Sequence, residues 1–361
     1  MSTSSSNPSK DGADASAGRL SRRGLVTGVA AATGAVLLTG AAPSAASAAG
    51  NSRDGSVATA PNLPEGFRNT FESRYVQANG IRQHVVVGGD GPPLLLVHGW
   101  PESWYAWRFM MPTLAQNFTV IAVDQRGIGL TATPTDGYDS ATLGDDLAAM
   151  MAELGHERFA LVGHDTGYII SYALAADHRD RVARMAVAEI PGPPGLVDPE
   201  HDPPPLFLPE FLNNRLWHIP FNRVNDELII NMVRTNADEF YRYEFAIQGG
   251  GETLPNPTIK YYIDLYTRNR DALRASFGLY RAWDATLAQN VERQQDLLTI
   301  PVLGIGGANS WGPLAADGIR PAAIDVQGAV IPDAGHWLAE QAPEEMLELL
   351  GEFLAPYLAG A

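Results

Sequence analysis

The segment Leu161-Val162-Gly163-His164-Asp165-Thr166-Gly167 runs an apolar stretch straight into a helix-like one, through a turn with glycine two positions to either side of an aspartate. Glycine at both flanks lets the backbone turn sharply and brings the central side chain out at a strand's carboxyl end, beside the N-terminus of the next helix. This is the nucleophile-elbow pattern. A serine or cysteine at its centre would form an acyl-enzyme, whereas an aspartate attacks saturated carbon and forms an alkyl ester. The chemistry expected of Asp165 is therefore the opening of an epoxide or the displacement of a halide. Helix capping alone would account for an aspartate here, but not for the glycine spacing or for the partners below.

Val97-His98-Gly99-Trp100-Pro101 closes another apolar run, so its loop can present the Trp100 N–H to the elbow. With the N–H of Thr166 it would hold an oxyanion, and losing one donor of such a pair typically costs about 10²- to 10³-fold in rate. A base is expected late in the chain. Pro332-Asp333-Ala334-Gly335-His336-Trp337 supplies His336, the only one of 8 histidines beyond His218. The acid that orients it is missing from the loop Gly307-Ala308-Asn309-Ser310, where it would ordinarily sit. Glu189, closing the apolar Met185-Ala186-Val187-Ala188 run, is expected to take that role, with Asp317 and Asp325 as fallbacks. A carboxylate at the end of an apolar strand is rarely without purpose.

These residues need strand ends to stand on. His84–Val87, Pro93–Val97, Phe118–Val123, Phe159–Val162, Pro301–Gly306 and Ala329–Ile331 read as strands, with Gly88–Gly91 as a turn and helical patterns between most of them. Strands alternating with helices predict an α/β fold whose mostly parallel sheet is covered on both faces and binds ligands beyond the carboxyl ends of its strands. Eight prolines between Pro191 and Pro209 interrupt the pattern. Beyond them, Glu210 to Trp283 reads as an inserted helical cap broken at Gly249–Gly251 and Pro255–Pro257. The division expected is a lead-in over 1–60, a core over 61–190 and 284–361, and the cap over 191–283.

The 361 residues, 45% hydrophobic and 18% charged, suffice for a substantial core. A net charge of −16 argues against nucleic acid as a partner. With no cysteine, disulfides, thiolate nucleophiles and Cys-ligated metals are excluded. No dinucleotide fingerprint or metal-ligand pair at helical spacing is found, so neither cofactor nor metal is expected. Ser21-Arg22-Arg23-Gly24-Leu25-Val26, an Ala/Gly-rich stretch and the small residues Ala46-Ser47-Ala48 resemble a cleavable twin-arginine export signal, which predicts a secreted protein. The stretch is too poor in Leu and Ile for a stable membrane anchor.

The core from about Phe67 to Glu189 and from Trp283 onward resembles epoxide hydrolases of the α/β-hydrolase fold, in particular the Cif-type secreted enzymes. The likeness is carried by His98-Gly99-Trp100-Pro101-Glu102 with Trp104 and Trp107, by Gly163 to Gly167, by the early Glu189 and by Gly335-His336-Trp337-Leu338. It implies that a cap histidine and a cap tyrosine hold the epoxide oxygen. Trp217-His218-Ile219 and Ser276-Phe277-Gly278-Leu279-Tyr280-Arg281 resemble those segments, which carries the roles to His218 and Tyr280. The implied reaction joins a small apolar epoxide and water into a vicinal diol. A haloalkane or haloacid dehalogenase with the same nucleophile is the alternative, kept open by Trp217; Thr166 and Trp100 stand where haloalkane dehalogenases carry Trp and Asn, and the elbow helix lacks the arginine of haloacetate enzymes. A non-catalytic receptor on the same scaffold is the third reading. A homodimer stays open as an assembly.

Overall fold

A computed structural model describes residues 55–195 and 209–360. The segment read as an export signal and prolines 199 and 203–205 lie outside the described residues. Eight strands form one sheet: β1 (Phe71–Ala78), β2 (Ile81–Gly88), β3 (Pro93–Val97), β4 (Thr119–Val123), β5 (Phe159–His164), β6 (Val182–Ala188), β7 (Val302–Gly307) and β8 (Val326–Ile331). Their order is β1-β2-β4-β3-β5-β6-β7-β8. β1, β2 and β4 pair antiparallel, and every pair from β4 onward is parallel.

The central strands are continuous apolar runs because helices cover both their faces. Ala160, Val162 and Ala186 enter one buried cluster and Leu161, Met185 and Val187 the other. Two features depart from the sequence reading. The polar lead-in contains β1, whose exposed Glu72, Arg74, Tyr75 and Gln77 hide a register that turns Phe71, Val76 and Ala78 inward. The Gly88–Gly91 turn makes no hairpin, since β4 lies between β2 and β3. Chain ahead of residue 61 also packs: Val57 and Ala60 are buried, and the Trp104 indole N–H donates to the Gly55 carbonyl at 2.9 Å.

Between β6 and β7 the chain leaves the sheet and forms successive helices, from Glu210–Leu216 to Trp283–Arg293. Helix Ala237–Gln248 stops before the glycine run, and Asn256–Tyr266 begins at the Pro-Asn-Pro. The final helix, Pro343–Ala359, packs against β6 and β8. A buried pair joins distant parts of the core: Arg108 Nη1 and Nη2 donate to Glu340 Oε1 and Oε2 at 2.5 and 2.7 Å.

Candidate active site

Asp165 directly follows β5 and opens the helix Thr166–Asp177 with φ 52° and ψ −118°. Its N–H donates to the Ala188 carbonyl on β6 at 3.0 Å, and its own carbonyl accepts from Tyr168 N–H at 2.9 Å. A non-glycine residue in this region stores on the order of 1–3 kcal/mol and persists only where its surroundings enforce it. The flanking glycines have another duty than the one expected of them. A Cβ on Gly163 would lie 2.5 Å from the Gly167 carbonyl oxygen, and one on Gly167 would lie 2.2 Å from that of Val97. They let strand, helix and the neighbouring loop close up, and the aspartate itself takes the strained angle.

That close approach sets the carboxylate among donors. The Trp100 N–H, on the loop after β3, donates to Asp165 Oδ1 at 2.8 Å, and the Thr166 N–H is a second hydrogen-bond donor to the same group. Burial pushes the Asp165 carboxyl above its ordinary value; His336, His164 and the two N–H donors pull the other way.

His336 sits on the loop between β8 and the last helices, its N–H donating to the Gln248 carbonyl at 3.1 Å. Nε2 stands 3.6 Å from Asp165 Oδ2, and Nδ1 lies 3.2 Å from Glu189 Oε2. Glu189 is wholly buried at the end of β6, with φ 54°. Its Oε1 accepts from the Gly307 N–H, on the very loop that lacks a carboxylate. The fallback acids are elsewhere: Asp317 is exposed and paired with Arg320 at 3.2 Å, and Asp325 is exposed.

Sequence reasoning gave no role to a second buried pair beneath the elbow. His164 Nδ1 lies 2.9 Å from Glu102 Oε2, and Nε2 lies 2.8 Å from the His336 carbonyl oxygen. Burial opposes ionisation of Glu102, but His164 holds its carboxyl below the ordinary value, so both partners accept, both ring nitrogens donate and the ring is an imidazolium. Burial opposes that charge, but Glu102 outweighs it and lifts the His164 pKa to about 9. Both residues lie inside the quoted motifs; only their contact was hidden, because it joins the end of β5 to the loop after β3.

A cavity of about 360 Å³ opens over Asp165 and is lined also by Trp100, Thr166, His336, His218 and Tyr280. His218 and Tyr280 come from the helical insertion. Their rings meet edge to face with centroids 5.5 Å apart, and the His218 ring stacks on Trp100 at 5.3 Å. The Tyr280 hydroxyl is buried without a hydrogen-bond partner, and its pKa is held well above the usual value by burial and by Asp165. Burial, with His336 nearby, lowers the His218 pKa to about 3, so that ring is neutral. Glu244, which no motif marked, also lines the cavity; burial raises its carboxyl to about 8. Trp217 is not among the lining residues. Among the described residues, no group of three or more His, Asp or Glu side chains is arranged to hold a metal ion. The arrangement offers a buried carboxylate, a histidine oriented by a second carboxylate, two N–H donors and two facing polar groups in one chamber.

The model of the family described as alpha/beta hydrolase fold matches residues 92–343. The chain is similar to the soluble epoxide hydrolase of Corynebacterium sp. (strain C12), 33% identical over 286 residues that span 77% of this chain and 95% of the relative. It is also similar to a fluoroacetate dehalogenase of Burkholderia sp., 29% identical over 310 residues, 80% and 96% of the two chains. Among solved structures, Cfl2 of Burkholderia cenocepacia matches with a TM-score of 0.73 at 32% identity, covering 79% and 96%. The chain therefore belongs to the alpha/beta hydrolase fold family and is a hydrolytic enzyme.

Proposed function

We propose that this enzyme opens epoxides to vicinal diols through a covalent ester on Asp165, as the Cif-type secreted epoxide hydrolases do. The observation that carries the reading is that one cavity is lined both by the Asp165 carboxylate and by the polar side chains of His218 and Tyr280. An epoxide needs both at once: a nucleophile for carbon and hydrogen-bond donors for the oxygen that departs from it. Asp165 attacks in line while His218 and Tyr280 hold the ring oxygen. His336, oriented by Glu189, then takes a proton from water, which adds to the ester carbonyl carbon. The Trp100 and Thr166 N–H groups receive the negative oxygen so formed.

Similarity to the Corynebacterium epoxide hydrolase favours this reading over a dehalogenase, to which the chain is also similar at lower identity. The cavity chemistry argues the same way. Arg215, the one arginine among the described residues lining it, donates Nη1 to Ser310 Oγ at 2.9 Å and Nη2 to the Asn309 carbonyl, so two of its three guanidinium nitrogens are already engaged and only Nε is without a partner for a haloacid carboxylate. Purified protein given styrene oxide-like epoxides and short alkyl halides tests the choice: diol is expected, and halide release without diol would overturn it. For residues 21–48 we propose twin-arginine export, tested by whether replacing Arg22 and Arg23 by lysine retains the protein in the cell.

A further inference from the structure

Glu244 is a buried carboxyl in the chamber that the reaction as described leaves unused. It comes from the helix Ala237–Gln248, and its Oε1 lies 3.2 Å from His218 Nδ1. The same oxygen accepts from Gln248 Nε2 at 3.0 Å, while the Gln248 backbone carbonyl receives the His336 N–H. One helix end thus seats the carboxyl against His218 and anchors the loop of the base. His218 Nδ1, Glu244 Oε2 and the neighbouring Trp217 Nε1 are all buried without an aligned hydrogen-bond partner, and Nδ1 stands within reach of the Glu244 carboxyl.

Ring opening as described leaves a chemical difficulty. The oxygen that leaves carbon is an alkoxide in the making and needs a proton. The Tyr280 hydroxyl is held well above its usual pKa, and a neutral imidazole that gives up its proton becomes an imidazolate. A carboxylic acid behind the imidazole removes the difficulty, because the ring can take a proton at one nitrogen as it gives one at the other.

We propose that Glu244 is a positioning residue that fixes His218 with its proton on Nε2, facing the cavity, and hands its own proton to Nδ1 as the epoxide opens. This deepens the epoxide-hydrolase reading and rests on it. In the step, a bond forms between Asp165 and carbon and the carbon–oxygen bond of the ring breaks. The electron pair goes to oxygen, which takes the Nε2 proton. Nδ1 takes the Glu244 proton, and the ring ends neutral with Glu244 a carboxylate. Hydrolysis of the ester restores the Asp165 carboxylate and puts a proton on His336; that proton passes to His218 Nε2 as Nδ1 gives its own back to Glu244, which restores the starting tautomer and closes the cycle without a co-reactant.

The charged and titratable groups facing Glu244 are Asp165 from the elbow and His218 and Tyr280 from the insertion. Burial, and then the negative charge of Asp165, lift its carboxyl to about 8, so it carries its proton at neutral pH. The test is single-turnover rapid quench with styrene oxide, reading ester formation and ester loss separately between pH 6 and 10, for the wild type and Glu244→Gln. The amide can hold the tautomer but cannot give up a proton. Wild-type ester formation is expected to fall as pH rises through about 8, and the variant to form ester roughly 10²-fold more slowly without that pH dependence, its hydrolysis step unchanged. Equal rates of ester formation in the two proteins would overturn the role of Glu244 while leaving the epoxide reading intact. A wild type that makes neither ester nor diol would overturn both. Nitrogen-15 NMR of wild-type His218, assigned by its loss in His218→Gln, needs no Glu244 variant. A bare Nδ1 and protonated Nε2 below pH 7 are expected, and the opposite tautomer would overturn the proposal.

Discussion

His336 Nε2 faces Asp165 Oδ2 at 3.6 Å, beyond hydrogen-bonding distance, while Nδ1 of the same ring lies 3.2 Å from Glu189 Oε2. The ring is oriented by one carboxylate without being captured by the other, so a water molecule can compete for Nε2. His336→Gln is therefore expected to alkylate and then stall: intact-protein mass spectrometry after mixing with substrate should find the adduct on Asp165, with turnover down by at least about 10²-fold. A variant that accumulates no adduct would show that His336 acts before the ester forms.

Gly99→Ala reaches Asp165, the proposed nucleophile, without replacing it. The added Cβ would lie 2.5 Å from Asp165 Cβ and 2.9 Å from Oδ1, so the carboxylate or the Trp100 loop must shift. Misplacement by about an ångström typically costs about 10²-fold. We expect kcat/KM for diol formation to fall by about that factor with the melting temperature little changed.

His164 ties stability to pH. Its folded pKa of about 9 lies above the unfolded value near 6.5, so its contribution is complete below about 6.5 and is lost as pH rises through about 9. The loss is on the order of 3 kcal/mol. Urea unfolding of the wild type should show a steeper decline between pH 6.5 and 9 than that of His164→Gln, which should be less stable at pH 6 and keep only the slope due to other groups such as Glu244. Parallel curves would mean that the ring is neutral in the native protein.

Arg108 and Glu340 are each 1% exposed and meet through two hydrogen bonds, with the Tyr262 hydroxyl donating to the same carboxylate at 2.9 Å. Glu340→Gln leaves a buried guanidinium without its counter-charge and should cost about 3–5 kcal/mol. The double variant Arg108→Met/Glu340→Leu should cost less than that, because it removes both charges together. Chemical denaturation of the two proteins measures the difference.

The strand ends were legible because the chemistry sits there: apolar runs stop at His98, Asp165 and Glu189, and a polar residue at the rim of a covered sheet stands out. Glu189 was legible by elimination, from the empty Gly307–Ser310 loop. β1 was not, since one face of an edge strand is solvated and its alternation is diluted by charge. Glu244 was invisible for a different reason. A glutamate in a helix rich in Tyr, Arg and Phe looks like a solvated face, and only the insertion's packing over the sheet shows it as buried. The glycines at 163 and 167 were legible as necessary but not as to why: the crowding that excludes a side chain comes from chain segments distant in sequence.

The carboxylate beside His336 Nδ1 stands at the end of β6, while the loop 308–310 meets the helical insertion, its Asn309 carbonyl and Ser310 hydroxyl holding Arg215. The roof is thus fastened at two places, on this loop and on the His336 loop, whose N–H groups reach the Gln248 and Phe245 carbonyls. A foreign roof grafted onto this floor would therefore have to bring back, besides the Arg215 contacts, the Gln248 carbonyl that steadies the His336 loop and the two polar side chains that His218 and Tyr280 put into the chamber.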